Sequence, residues 1–114
     1  WHIPTDEDWL RFERLFEMAH HEALKTGKRH GPELFIELKN PAGFNMKQGS
    51  DFRWPSNSSA PFTILGNRCI LWTSSNITPN TSQALTRGID SAHDSIVRQS
   101  FHREFGFYVR CIKD

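Results

Sequence analysis

With 114 residues, nine Phe and four Trp, the chain is long enough to bury one hydrophobic core and too short for two. A formal charge of +1, carried by Lys and Arg that are scattered rather than gathered in a run, gives no nucleic acid or acidic membrane as partner. No apolar stretch has the length a bilayer requires, and no charged-then-apolar leader opens the chain at Trp1, so an upstream leader or domain is expected to have been removed.

Trp1 to Thr5 reads as an entering extended segment, because Pro4 disfavours helix at Ile3. Thr5 is a good N-cap with Asp8 three residues on, and Asp6, Glu7 and Asp8 place negative charge at the positive end of a helix dipole. The spacing of Trp9, Phe12, Leu15, Phe16 and Ala19 predicts an amphipathic helix that runs on to Thr26-Gly27. His20 and His21 fall in its C-terminal half, with no third ligand spaced for a metal. Lys28-Arg29-His30 reads as a solvated basic loop. Pro32 then suits the first turn of a second helix, Glu33 to Lys39, whose buried stripe is Leu34, Phe35 and Leu38.

From Gly43 onward the period changes to two, and Gly, Pro, Ser and Asn punctuate short apolar runs, which predicts small strands joined by long loops. Phe44-Asn45-Met46 is a short strand candidate, Gly49-Ser50-Asp51 a turn, and Phe62-Thr63-Ile64-Leu65 a further strand or a tucked loop. Arg68 to Thr73 is predicted as a central strand, since Cys69-Ile70-Leu71-Trp72 is apolar throughout. Gln83 to Ile89 and Ser95 to Phe101 form a hairpin-like pair around Asp90-Ser91-Ala92-His93-Asp94. The closing residues, Phe105 to Asp114, alternate with apolar residues on both faces and predict a last strand inside a sheet, paired with an early part of the chain. The fold class is α+β. Cys69 and Cys111 lie in strand-like contexts rather than in a CxxC or a Cys/His cluster, which argues against zinc and redox chemistry and leaves a disulfide or two buried thiols.

Two motifs stand at opposite ends of this one domain: Trp1-His2-Ile3-Pro4-Thr5-Asp6-Glu7-Asp8-Trp9 and Gly106-Phe107-Tyr108-Val109-Arg110-Cys111-Ile112-Lys113-Asp114. Together with Gly43-Phe44 and Leu71-Trp72-Thr73-Ser74-Ser75 in the same order, they resemble the Fibrobacter succinogenes major paralogous domain (FISUMP) over essentially the whole chain. The opening Pro4-Thr5-Asp6 with Trp9 is also similar to the opening of the formylglycine-generating enzyme domain. The resemblance implies a C-type lectin-like fold, with first and last strands paired, two helices packed on a small mostly antiparallel sheet, and long loops. It also implies a bacterial, Bacteroidetes-type secreted protein or surface lipoprotein. Members commonly carry a cysteine just before the opening Trp that looks suited to pair with the one in the closing strand; with Trp1 first in the sequence, the expectation is that Cys111 has lost that partner, for which Cys69 is an unusual substitute.

The candidate sites are few. Trp1, Trp9 and Trp72 read as core packing, whereas Trp54 sits among Arg53, Pro55, Ser56 and Asn57, where an indole beside amides can stack on a sugar face. Arg110 needs an anionic or carbonyl partner if buried, with Glu104, Asp114 and Asp8 as candidates, and reads as a structural clamp. Asn57, Asp51, Asn76, Asn80, Asp90 and Asp94 offer oxygens in loops, but no motif of the calcium-dependent sugar-binding lectins is present, so no metal or other cofactor is expected. Neither a Ser/His/Asp order nor a close acidic pair points to catalysis, and the cysteine pair used by the formylglycine-generating relatives is not reproduced. The expectation is a non-enzymatic, extracytoplasmic module that binds a protein or glycan at the cell surface through Trp54, Asn57, Asn76, Asn80, Asp90 and His93. The alternative is an assembly module of an envelope lipoprotein or appendage with no small ligand.

Overall fold

The computed structural model describes residues 1–46, 51–53, 62–64, 68–77, 82–91 and 93–114, with the side chains of 51–53 and 62–64 excepted. The architecture is α+β: a four-stranded antiparallel sheet covered on one face by short helices, and a separate two-stranded ribbon.

Helix α1 spans Asp6–Leu15 and opens on the capping box its sequence predicts. The Thr5 hydroxyl accepts from the Asp8 N–H at 3.1 Å and the Asp8 carboxylate accepts from the Thr5 N–H at 3.0 Å, so two orphan donors are satisfied. The helix is shorter than the apolar spacing predicts. Glu17 takes a left-handed backbone with φ 64°, the N–H groups of Phe16, Glu17 and Met18 close back on the carbonyls of Glu13 and Arg14, and a separate turn of helix, α2 (His20–Ala23), comes next. The buried face shifts with this break: Trp9, Leu10 and Glu13 are enclosed while Leu15 is 78% exposed. His20 and His21 therefore open α2 as exposed residues rather than closing a long helix.

Gly27, at φ 86°, turns the chain out of α2 through a conformation that costs most residues a Cβ clash. The chain then enters a strand, β1 (Gly27–Arg29), and not the solvated loop that three consecutive basic residues suggest. Its Arg29 is fully buried, because Glu13 of α1 and the Ala23 carbonyl of α2 supply its partners. Helix α3 (Pro32–Lys39) matches its prediction, with Pro in the first turn and Leu34, Phe35 and Leu38 buried. Phe44 to Met46 is not a strand: the chain turns after α3, and the Met46 N–H donates to the Leu38 carbonyl at 2.7 Å, which tucks Met46 into the core.

Strands β2 (Asp51–Arg53) and β3 (Phe62–Ile64) form the ribbon. Strands β4 (Arg68–Asn76), β5 (Gln83–Asp90) and β6 (Ser95–His102) complete the main sheet in the order β1-β6-β5-β4. The hairpin β5–β6 is paired from Gln83↔His102 to Asp90↔Ser95, as its sequence predicts. β4 lies at the end of this order rather than at its centre, and its apolar run alternates after all: Cys69, Leu71 and Thr73 are buried against the helices while Ile70 and Trp72 face the other way. The core lies between α1, α3 and this helix-facing side, where Trp9, Leu34 and Leu38 join Leu71, Ile89 and Ile96.

The closing segment is not a strand inside the sheet. It touches the fold through a parallel bridge at Leu71↔Tyr108 and an antiparallel bridge at His2↔Ile112, and residues 108–114 stay exposed. The two ends of the chain are thus paired as expected, but by one residue pair and two backbone hydrogen bonds of 2.9 Å.

Candidate functional site

The sheet face turned away from the helices carries a groove of about 530 Å³, within the range of small-molecule pockets. Strand alternation sets its rows. Because β5 pairs Gly88 with Ile70 of β4 and Val97 of β6, and Val97 pairs with Lys28 of β1, these four residues cross the sheet in one line. Gly88 contributes no side chain at the middle of that line, which hollows the floor between Ile70 and Val97. Farther along the strands, Arg68, Asp90 and Ser95 form another line.

Asp90 has a side chain only 2% exposed, and three basic groups converge on its Oδ2: His93 Nδ1 at 3.0 Å, Arg68 Nε at 3.5 Å and Lys28 Nζ at 3.7 Å. Lys28 and Arg68 come from the two outermost strands of the sheet and are about half exposed. Among the described residues the ion pairs at this end set one buried carboxylate against two permanent cations, an excess of positive charge. At the other end Phe101 lines the groove, and Phe107 of the closing segment sits 4.9 Å from it and 5.0 Å from Trp72, ring centre to ring centre.

The opposite sheet face is fixed by a second set of charges. Glu13 of α1 pairs with Arg87 at 2.8 Å and with Arg29, and Asp6 pairs with Arg87 and Arg98 at 2.7 Å each. Burial pushes Asp6 up, and Arg98 and Arg87 outweigh it and hold the carboxyl below its usual range. Burial likewise lowers Arg29, against the pull of Glu13. Arg29 also donates to the Ala23 carbonyl at 3.0 Å, and Arg98 to the Leu24 carbonyl at 2.9 Å, so the network ties α1, α2, β1, β5 and β6 together. Its Glu13, Arg29 and Arg87 are enclosed and none of its charged residues lines the groove, so its role is to hold the sheet that displays the groove.

Of the residues singled out in the sequence, Asp90 and His93 are brought together at the groove, across the turn of the β5–β6 hairpin. Asn76 is exposed at the far end of β4, opposite Ala84, away from that pair. Trp54, Asn57 and Asn80 lie outside the described residues. Lys28 and Arg68 were missed, because only the sheet order carries side chains from both edges to one carboxylate. The Cys69–Cys111 bridge is not formed: Cys69 is buried on the helix-facing side of β4, Cys111 is exposed in the closing segment, and neither is in a disulfide. Arg110 is a clamp, and its partner is not a carboxylate: it donates to the Phe44 carbonyl and lies 4.2 Å over the Phe44 ring. Among the described residues, no three His, Cys, Asp or Glu side chains converge as metal ligands.

No curated protein and no solved structure gives a significant match to the chain. One family model does, and it covers the motifs at both ends, the capped first helix and the sheet alike: matched over residues 1–113, the chain belongs to the Fibrobacter succinogenes major domain family.

Proposed function

We propose that this domain is a non-enzymatic recognition module of an extracytoplasmic bacterial protein, secreted or held at the surface as a lipoprotein, which binds a glycan or protein on a C-type lectin-like scaffold. The observation that carries the reading is the groove on the outer sheet face, where Gly88 removes a side chain from the floor and charged groups from both sheet edges gather at one end. A rigid sheet locked from behind by buried ion pairs, with concave polar and apolar surface in front, suits binding. The test is a glycan-array and thermal-shift screen of the purified domain beside Val97→Trp, which fills the groove without touching the helix-facing core. Binding abolished by Val97→Trp supports the groove. Binding that survives it moves the ligand to the loops, and Trp54→Ala then asks whether the indole carries it.

A second reading is an assembly module. Ile3, Tyr108, Val109 and Ile112 are exposed apolar residues near the meeting of the two chain ends, and Ile3 and Val109 line one shallow hollow there. Sedimentation of the domain over a concentration series tests it: a monomer at all concentrations with a ligand in the groove removes the assembly reading.

A further inference from the structure

We infer that the groove selects a ligand carrying a carboxylate on a body of about monosaccharide size, such as an acidic sugar unit, and that Lys28 and Arg68 are its specificity-determining residues. The inference rests on the reading of the groove as a binding site and adds the charge of what it takes.

Lys28 and Arg68 start from opposite edges of a four-stranded sheet and both lean over its outer face toward Asp90. Their distances to the Asp90 oxygen, 3.7 and 3.5 Å, are those of ion pairs rather than of well-made hydrogen bonds, while His93 takes the closer place at 3.0 Å. Asp90 thus holds both cations over the groove mouth without exhausting their donors. The Arg68 side chain is about half exposed, and a forked donor of this kind matches an incoming carboxylate in two-point geometry. Lys28 is equally open on the other side. A neutral ligand would leave that excess charge uncompensated beside an apolar floor.

The remaining surface fits a polyhydroxylated ring. Ile70 and Val97 flank the bare backbone of Gly88 and offer an apolar patch to a ring face, while Gln99 is exposed farther along β6 and Ser100 lines the same wall. The Thr86 hydroxyl is already engaged, donating to the Gln99 carbonyl at 2.8 Å, so it holds the wall rather than the ligand.

The test uses one ring with and without the charge. Glucuronate and glucose are titrated into the isotope-labelled domain, and the amide signals of Ile70, Gly88 and Val97 are followed. Glucuronate is expected to shift them saturably, more weakly as sodium chloride is raised, and glucose not at all. Lys28→Gln and Arg68→Gln should each weaken glucuronate binding about tenfold, the loss expected for one charge-assisted contact, with Arg68→Lys recovering part of it. The salt titration of the unaltered protein keeps the test decisive should a variant fold poorly. Equal shifts with glucose, or shifts indifferent to salt, would overturn the charge selection and leave the groove as a binding site. Shifts with neither sugar would also overturn it, and the broader recognition reading would then be decided by the array screen with Val97→Trp.

Discussion

Glu13 of the first helix and Arg87 of the central hairpin are 74 positions apart in sequence and meet at 2.8 Å, with almost no solvent reaching either side chain. The same carboxylate also pairs with Arg29, itself fully enclosed. Glu13 is therefore the anion around which two buried guanidinium groups are organised, and it places a charge among the otherwise apolar buried residues of α1.

Removing that anion should be costly. Glu13→Ala leaves Arg29 and Arg87 buried with Asp6 as the remaining carboxylate of the network, and breaking a buried pair on one side costs about 3–5 kcal/mol. Urea unfolding followed by circular dichroism checks this. A loss below about 1 kcal/mol, the level of an exposed ion pair, would mean that water reaches the network.

This network also marks where the sequence stops being legible. The Thr5–Asp8 capping box, helix α3 and the β5–β6 hairpin depend on neighbours in sequence, and each stands where local pattern predicts it. Arg29 reads as loop because its burial is created by Glu13 and by the β6 strand it lies beside, neither of them near it in sequence. Leu15 reads as core because periodicity carries no warning of the left-handed turn at Glu17. The closing segment alternates like a strand, but alternation needs a partner along its whole length, and the segment finds isolated bridges, those of Tyr108 and Ile112 among them. At the groove, Asp90 and His93 were within reach of sequence reasoning as parts of one turn, whereas Lys28 and Arg68 depend on strand order.

Two glycines should respond differently to an added methyl group. At Gly88 a Cβ would lie 2.9 Å from the Cys69 carbonyl oxygen, a backbone atom of a paired strand that cannot move without disturbing the ladder. At Gly31 the nearest atom is the Met18 terminal methyl at 2.7 Å, the end of a flexible side chain. Gly88→Ala is expected to cost about 1–3 kcal/mol, as overpacking does, and Gly31→Ala less. Thermal melts of the two variants side by side check the order, and the reverse order would show that β4 yields more easily than Met18.

The two thiols should separate cleanly by reactivity. Cys111 is exposed in the closing segment, whereas Cys69 is 3% exposed on the core side of β4. Under native conditions a thiol-reactive dye should label one equivalent, lost in Cys111→Ser, and urea should release the second. No labelling of the native protein, restored by reductant, would instead indicate a disulfide and require the closing segment to sit elsewhere.

The pairing of the chain ends should depend on pH through His2. Its Nδ1 lies 2.6 Å from Asp114 and its Nε2 3.1 Å from Asp8, and since both partners are carboxylates, both ring nitrogens donate only in the imidazolium form. Asp114 and then Asp8 raise His2 above its usual 6.5. A raised value means that this contribution is complete below pH 6.5 and is lost as pH climbs through the folded-state value. The carboxylates behave in the opposite sense. Asp8 is held below 3.8, chiefly by the Thr5 N–H and then by His2, and Asp114 by the Trp1 amino group and then by His2. Their contribution is complete above 3.8 and fades as pH falls through their lowered values. The clasp is therefore tightest between those limits. Hydrogen exchange at the His2 and Ile112 amides, which donate to each other's carbonyls, reads it directly. After correction for intrinsic exchange, their protection should be greatest between about pH 4 and 6.5 and decline above it, and His2→Gln should remove the alkaline decline. Protection that stays level to about pH 9 in the unaltered protein would mean the backbone bridge holds the ends without the imidazolium.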